Sequence, residues 1–453
     1  MLKTFRLGGI HPSDNKLSRT NAIEECGLPE TVAIPLSQHI GAPAVACVKK
    51  GDKVLTGQII ATAAGFVSSN IHSSVSGTVV SVDNLPDEGG VRRPTVTIKV
   101  EGDEWMENID RTDKIIKECN LGRKEILEKI TAGGIVGMGG ATFPTHVKLS
   151  IPPDKKADCL IINGVECEPY LTSDHRVMLE RSEEFLVGVR ILMKAIDVQK
   201  AYIGIEFNKR DAIDHLSDLT ENTHDIDIVP LKVRYPQGGE KQLIDAIIKR
   251  QVSSGALPIS VGAVVQNVST TLAVYEAVQK NKPLIERVVT VTGKNVPVPA
   301  NLMTRIGTPV SFIIDRCGGV AEDTGKIVNG GPMMGRAVAN LDAGVTKGTS
   351  GILIFSEKES VRPVASICIK CAKCVSVCPM GLEPYLLYKL SVRNMLAETE
   401  ENKVFDCIEC GCCSYTCPAA LPLLDRIRLS KAEVMRIIRE RNLAKKSVTD
   451  IQT

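Results

Sequence analysis

Two copies of one cysteine pattern near the C-terminal end constrain this chain more than any other feature. Cys368, Cys371, Cys374 and Cys378 precede Pro379, and Cys407, Cys410, Cys413 and Cys417 precede Pro418. Both runs read C-x2-C-x2-C-x3-C-P, the bacterial ligand run for [4Fe–4S] clusters. In paired clusters the first three cysteines of a run hold one cube and the fourth reaches the other. Three thiolates two residues apart curl around one cube, and the proline ends the turn. Zinc also uses C-x2-C pairs. It needs four cysteines per site and a longer gap between pairs, which leaves a doubled run with a proline after each fourth cysteine unexplained. The spacing predicts two cubane clusters in a chain that moves electrons one at a time.

A length of 453 residues allows three or four domains. The net charge of +2 offers no electrostatic case for nucleic acid as a partner. Seven cysteines lie outside the expected ligand set: Cys26, Cys47, Cys119, Cys159, Cys167, Cys317 and Cys412. An odd, scattered set beside iron–sulfur ligands points to a reducing compartment rather than a disulfide framework. The opening MLKTFRLGGIHPSDNK has no apolar run of signal-peptide length, and no stretch of 18 apolar residues occurs. The expectation is a cytoplasmic protein, without a transmembrane segment, that docks on the cytoplasmic side of a membrane complex.

Along the chain the character changes three times. Residues 1–110 carry strand-like alternation with glycine turns, and Gly51 to Val82 divides into two hairpins. This segment resembles the biotinyl/lipoyl-type barrel-sandwich, whose prosthetic group sits on a lysine at a hairpin tip. The tip from Thr62 to Asn70 has no lysine, so a structural role is expected. Residues 111–285 alternate helical patterns such as DKIIKECNLGRKEILEKI with apolar runs (CLIING, AYIGI, DIDIVPL, GAVVQNV). That alternation predicts a three-layer α/β domain. Residues 286–357 return to short strand-like runs (RVVTVTG, SFIIDRC, GILIFS) in a small β-rich domain. Residues 358–453 hold the cysteine runs and a helical stretch from Arg426 to Lys446, with eight Lys/Arg against two Glu. The predicted whole is a mixed α/β and α+β multidomain chain.

The segment GGIVGMGGATFPTHVK, Gly133 to Lys148, is glycine-rich. Such a loop lets backbone N–H groups approach a phosphate or a flavin ring. It is not the dinucleotide fingerprint, because Gly137, Gly139 and Gly140 follow a helical pattern rather than a strand. Three further polar segments each follow an apolar run: NGVECEPY from Asn163, RYPQGGEKQL from Arg234 and AVVQNVSTTLA from Ala263. They are expected to gather at one edge of the α/β sheet, where such folds bind ligands.

These four segments are similar to the flavin- and NADH-binding subunit of respiratory complex I, which reads GRGGAGFPTGLKW, NADESEPGT, YICGEET and NNVET in the matching places. Gly137, Gly139, Gly140, Phe143, Pro144, Thr145 and Lys148 match the first motif. Asn163, Glu166, Glu168 and Pro169 match the second; Tyr235, Gly239 and Glu240 the third; Asn267 and Val268 the fourth. The resemblance implies that the loop amides and Lys148 face FMN and its phosphate. It implies that Asn163 and Asn267 bond the ring or ribityl chain, and that Glu166 and Glu240 line the nicotinamide side as catalytic residues. Met138 stands where that family has arginine, His146 and Tyr170 where it has glycine, and Val165 where it has aspartate.

A wider resemblance covers the whole chain. FRLGGIHPSDNKLS, PLSQHIGAPA, the barrel-sandwich, the flavin segments and the doubled cysteine run follow the order of the C-subunit family of Rnf complexes, the ion-translocating ferredoxin:NAD oxidoreductases. Residues 286–357 look like the soluble-ligand-binding β-grasp module of both families, and 358–453 like a two-cluster ferredoxin. This implies an oxidoreductase component that exchanges electrons with NAD(H) as substrate. Its partners would be the other proteins of the complex and, indirectly, ferredoxin. A cobalamin reductase of the propanediol-utilisation type and a non-catalytic ferredoxin-like relay are the alternatives. His11, His39 and His72 are read as turn residues, Cys167 as buried packing, Met333–Met334 as core, and Cys412 as outside the ligand register.

Overall fold

The computed structural model describes the backbone of residues 2–452 and the side chains of residues 2–442. Among the described residues there are four sheets, with helices around the largest parallel one and a helical C-terminal region.

The central element is a parallel four-stranded sheet in the order Ile226–Leu231, Ala201–Glu206, Cys159–Gly164, Ala263–Asn267. Its strands are buried on both faces, which accounts for their unbroken apolar runs. Leu160, Ile162, Ile203, Ile205 and Val264 face helices Ser182–Ile196 and Val268–Gln279. Ile161, Val229, Leu231 and Val265 face helix Glu240–Ile248 on the other side. The helix before the glycine loop is shorter than its sequence pattern suggests. It begins at Arg123, because Glu125 accepts from the Gly122 amide at 2.7 Å and fixes the helix start there.

Two small antiparallel sheets flank this body, one in the order Thr31–Pro35, Arg92–Val100, Gly77–Pro86, Lys53–Val54 and one of Val45–Ala46, Ile59–Thr62, Ile71–His72. Their shared core includes Val32, Ile34, Ile60, Ile71, Val79 and Ile98. The hairpin tip between Thr62 and Asn70 is tied down rather than free. The Phe66 carbonyl lies 3.0 Å from His146 Nε2, and Lys347 Nζ donates to the Asn70 and Gly134 carbonyls at 2.9 and 2.7 Å. This tip braces the glycine loop.

The six-stranded sheet runs Ile23–Glu25, Ala300–Arg305, Glu286–Thr292, Gly351–Ser356, Thr324–Asn329, Arg336–Ala337. Two features differ from the sequence reading. SFIIDRC is helical over Val310–Arg316, not a strand: Val310, Ile313 and Ile314 recur at helical spacing and enter the core. The segment before Thr31 lies outside the two flanking sheets. Lys3 pairs with Leu231, Ile10 pairs with Tyr235, and Ile23–Glu25 joins the six-stranded sheet beside Ala300–Arg305. An open sheet edge exposes unpaired backbone groups, and this N-terminal strap covers two such edges. No local pattern announces that pairing.

The C-terminal region packs Pro384–Val392 and Leu396–Glu401 on the long helix Leu423–Gln452. The strap also holds it in place. The Gly9 amide donates to Val377 O at 2.8 Å, and Gly8, at φ +69°, sits where a β-carbon would lie 2.5 Å from the Cys378 carbonyl.

Candidate functional site

In a parallel sheet all C-terminal strand ends share one edge, so the three polar segments that follow strands meet there, and the glycine loop joins them where Gly139 packs on Asn267. Asn163 and Asn267 are register partners on adjacent strands. Both side chains bond the surrounding loops. Asn163 Nδ2 donates to Gly238 O at 2.8 Å, and its Oδ1 accepts from the Val165 amide at 3.3 Å. Asn267 caps the helix that follows it, accepting from the Thr270 amide at 3.2 Å, and donates to Asp174 at 2.6 Å.

The glycine loop closes through Gly137 N to Phe143 O at 2.9 Å. Its glycines are not equivalent. A β-carbon on Gly139 would lie 2.6 Å from Asn267 Nδ2, so this glycine makes room for the asparagine. Gly140 has no protein atom within 4 Å of such a carbon, and its surroundings are open. Met138 is buried, with its amide bonded to Thr270 Oγ1 at 2.8 Å. Beside Lys347, a second basic side chain near the loop is Arg287, buried, donating to the Met138 and Lys347 carbonyls. Burial pushes its guanidinium down to about 10, against the pull of Asp174 and Glu166. Phe143 is half-buried at the loop's end. Thr145 Oγ1 and Gln266 Nε2 are buried without a hydrogen-bond partner. Lys148 forms an ion pair with Glu240 at 2.5 Å on the rim, and Gly239 caps the helix that Glu240 begins. An open glycine backbone, two orphaned polar atoms and a rim lysine fit a ligand with a polar ring and a phosphate, as FMN has.

The carboxylates divide by role. Glu166 accepts from the Asp174 amide at 2.8 Å, the His175 amide at 3.3 Å and Ser173 Oγ at 3.2 Å, across the N-terminus of helix Ser173–Glu180. It thereby satisfies donors that a helix start leaves open. Asp174 is buried beside it, and burial together with the Glu166 charge raises its carboxyl to about 6. Sequence reasoning missed Asp174, Arg287 and Lys16. Lys16, half-buried, donates from Nζ to the carbonyls of Glu166, Glu168 and Leu171 at 2.8, 2.9 and 2.5 Å. Burial lowers its amine to about 8. Its segment is legible as part of a resemblance, but its contacts lie some 150 residues away.

Glu168 faces other domains. It accepts from the Met333 and Met334 amides at 3.0 and 2.9 Å and from Tyr235 Oη at 3.3 Å. Met334 is 43 % exposed and acts through its backbone, whereas Met333 also packs against the cluster of Ile10, Tyr235, Cys410 and Cys412, as its core reading expects. Tyr235 Oη also lies 2.8 Å from the Cys410 carbonyl and donates to it. Burial raises Glu168 from 4.5 to about 7. Between those pH values the folded protein keeps a proton that the unfolded chain has released. This group's stabilising contribution is therefore full below pH 4.5 and is lost as pH rises through 7, a change of about 3 kcal/mol. Urea midpoints of wild type and Glu168→Gln across this window check it: the variant has the flatter profile.

Cysteines of the two runs stand beside one another. Cys378, Cys407, Cys410 and Cys413 line one cavity with Pro379, Leu387 and Ile427. Cys412 borders the same cavity, which brings the fourth cysteine of the first run against the second. Cys417 is a neighbour of Cys374, and Tyr385 lies beside Cys374 and Cys368. Cys410 and Cys413 are buried, whereas Cys371 is exposed. Cys412 is buried with its sulfur 4.0 Å from Tyr235 O. Cys167 is packed beneath Gly238, and burial holds its thiol far above the usual range. Cys410 and Cys412 thus abut Tyr235 and the α/β edge, and Cys371 lies at the surface.

Comparison with known proteins gives four domain families. Residues 130–276 match the Nuo51 FMN-binding domain, 3–103 the RnfC barrel sandwich hybrid domain, 288–337 the SLBB domain and 360–418 the 4Fe-4S dicluster domain. The C subunit of the proton-translocating ferredoxin:NAD(+) oxidoreductase complex of Clostridium ljungdahlii is 48 % identical, with 98 % of this chain and 97 % of that protein covered. Its Na(+)-translocating counterpart in Acetobacterium woodii is 45 % identical, with 97 % and 99 % covered. A chain of a NAD+-reducing [NiFe]-hydrogenase aligns over 68 % of this chain and 60 % of its own, with TM-score 0.49 and 18 % identity.

Proposed function

The chain belongs to the C-subunit family of ion-translocating ferredoxin:NAD(+) oxidoreductase complexes, and on that premise we propose that it passes electrons between NAD(H), FMN at the sheet edge and two [4Fe–4S] clusters. It is an electron-transfer oxidoreductase. The observation that carries the route is the contact between the two halves of the chemistry: Tyr235, from a flavin-type segment, donates to the backbone of Cys410 in the second cysteine run.

A flavin bound at the edge supplies the exchange between two-electron nicotinamide chemistry and one-electron cluster chemistry. The residues supply position and electrostatics. Gly140 leaves its backbone open to the ring or phosphate, Thr145 and Gln266 offer unpaired polar atoms, and Lys148 offers charge held in place by Glu240. Asn163 and Asn267 hold the loops that shape the site. Cys378, Cys407, Cys410 and Cys413 would hold the inner cluster; Cys368, Cys371, Cys374 and Cys417 would hold the outer one. We read the six-stranded sheet as a β-grasp module and the central body as a three-layer domain. Among the described residues no helix is long and apolar enough to cross a membrane, which agrees with peripheral attachment to the cytoplasmic side of a membrane complex. Relatives named for ferredoxin and NAD(+), rather than for a corrinoid, favour this over a cobalamin reductase.

Anaerobic purification with iron, sulfide and flavin counted per chain tests the whole reading, and a chain with clusters but no flavin would contradict it. Glu166→Gln tests the nicotinamide side. Glutamine still accepts from the helix start, so FMN and iron content stay at wild-type levels. Stopped-flow bleaching of the flavin by NADH is expected to slow by about one to two decades, while bleaching by dithionite is unchanged. An unchanged NADH rate would leave Glu166 with the helix alone.

A further inference from the structure

A charge buried without an opposite charge beside it is costly, and a ligand can supply what the protein leaves out. Arg287 is such a charge. It stands on strand Glu286–Thr292 of the six-stranded sheet and is 4 % exposed. Lys209, Lys280 and Lys282 are also withdrawn from water, and each has a carboxylate within 4.0 Å. Arg287 forms no ion pair among the described residues. Its bonds go to backbone carbonyls: Nη1 reaches that of Met138 at 3.4 Å and that of Lys347, and Nε reaches that of Val288 at 3.3 Å. The carboxylates whose charge it feels are engaged elsewhere. Asp174 accepts from Asn267 Nδ2 and Ser269 Oγ, both at 2.6 Å, and Glu166 spans the start of helix Ser173–Glu180.

The charge lies against the glycine loop. Met138 O belongs to the peptide that carries the Gly139 N–H. That amide donates to no protein atom among the described residues, and Gly140 beside it faces open space. The loop has no Lys or Arg from Gly133 to Val147. Two other cations are near, and each is placed differently. Lys148 is half-buried on the rim and paired with Glu240, within reach of water and suited to a phosphate. Lys347 commits its Nζ to the Asn70 and Gly134 carbonyls, and burial lowers its amine to about 7, where it is charged only in part. An arginine keeps its charge across the ordinary pH range.

We propose that Arg287 is the fixed counter-charge for a flavin ring bound at the glycine loop, favouring the reduced ring over the oxidised one. This rests on the reading of the sheet edge as an FMN site. The electron count calls for such a charge. A hydride carries two electrons and one proton, so a neutral ring that accepts it gains one negative charge, and the nicotinamide that releases it gains one positive charge. An opposite charge held in a dry site favours the charged form. Arg287 is a positioning residue that acts through this field, and it exchanges no proton or electron. The six-stranded sheet thereby helps set the potential of a site built on the parallel one.

The test uses the full chain, purified anaerobically with its cofactors, at pH 7. Spectroelectrochemical titration gives the midpoint potential of the bound flavin. Its difference from free FMN is the ratio of affinities for reduced and oxidised flavin. Arg287→Gln keeps donors for the carbonyls and removes the charge. The ratio is expected to fall about tenfold, which is about 30 mV for a two-electron couple. Arg287→Lys keeps the charge and is expected to hold the ratio within about threefold of wild type. Iron and flavin content stay at wild-type levels in both. An unchanged ratio in Arg287→Gln overturns the proposal: with an earlier melt alone the residue is structural, and with equal loss of affinity for both flavin states its charge serves the phosphate. Where Arg287→Gln does not fold, Asp174→Asn reads the same balance from the other side. It removes a carboxylate that offsets Arg287, so the ratio is expected to rise, and an unchanged or lower ratio overturns the proposal. Wild-type protein that purifies without flavin removes the FMN reading itself, and the proposal falls with it.

Discussion

Cys378→Ser removes the cluster held mainly by the second cysteine run and leaves the one held by its own. Cys378 is buried and borders one cavity with Cys407, Cys410, Cys412 and Cys413, and Cys417 of the second run stands beside Cys374 of the first, which is the basis for the proposed exchange of fourth ligands. Iron per chain should fall by about half, since one of two cubes is lost. The remaining EPR signal should equal that of Cys410→Ser and differ from that of Cys371→Ser. Combining Cys371→Ser with Cys410→Ser should remove nearly all the iron. Identical residual signals in Cys378→Ser and Cys371→Ser would mean that each run closes on itself. Zinc in place of iron after anaerobic purification would remove the cluster assignment altogether.

A pair of glycine variants separates flavin binding from folding. Gly140→Val projects into open space, so the protein should fold with both clusters and lose its flavin. Gly139→Val drives a side chain into Asn267, which caps the helix Val268–Gln279 and holds Asp174. Loss of the cap costs about 1 kcal/mol and overpacking a further 1–3 kcal/mol. That variant should therefore melt earlier as well as lose flavin. Flavin counts and thermal melts, read together, check both. Flavin retained in Gly140→Val would make the loop ordinary structure.

The departures from the complex I motifs are explained by the core rather than the ligand. Met138 enters the apolar cluster beneath the loop, and Val165 packs under the opposite face of the sheet. Tyr170 adopts φ +71°, a conformation suited to the glycine that family has there. Its ring meets Phe355 edge-on at 5.9 Å in the neighbouring sheet, a contact that compensates a conformation few side chains adopt.

The cysteine runs, the lysine-free hairpin tip and the four sheet-edge segments were legible in the sequence because each is a local pattern. Ligand spacing, turn residues and apolar period are properties of a few consecutive residues. The relation of one segment to another was not. That Glu168 reaches the 333–334 amides, that Tyr235 meets Cys410, and that Lys16 holds the 166–171 loop are contacts between positions 150 to 175 residues apart. No short-range pattern encodes them. They follow only when strap, sheet edge and cysteine runs pack against one another, because buried donors and acceptors must find partners wherever the fold places them. The sequence by itself determined which chemistry the chain carries. Tertiary structure decided which cysteines stand next to the sheet edge and which face the surface.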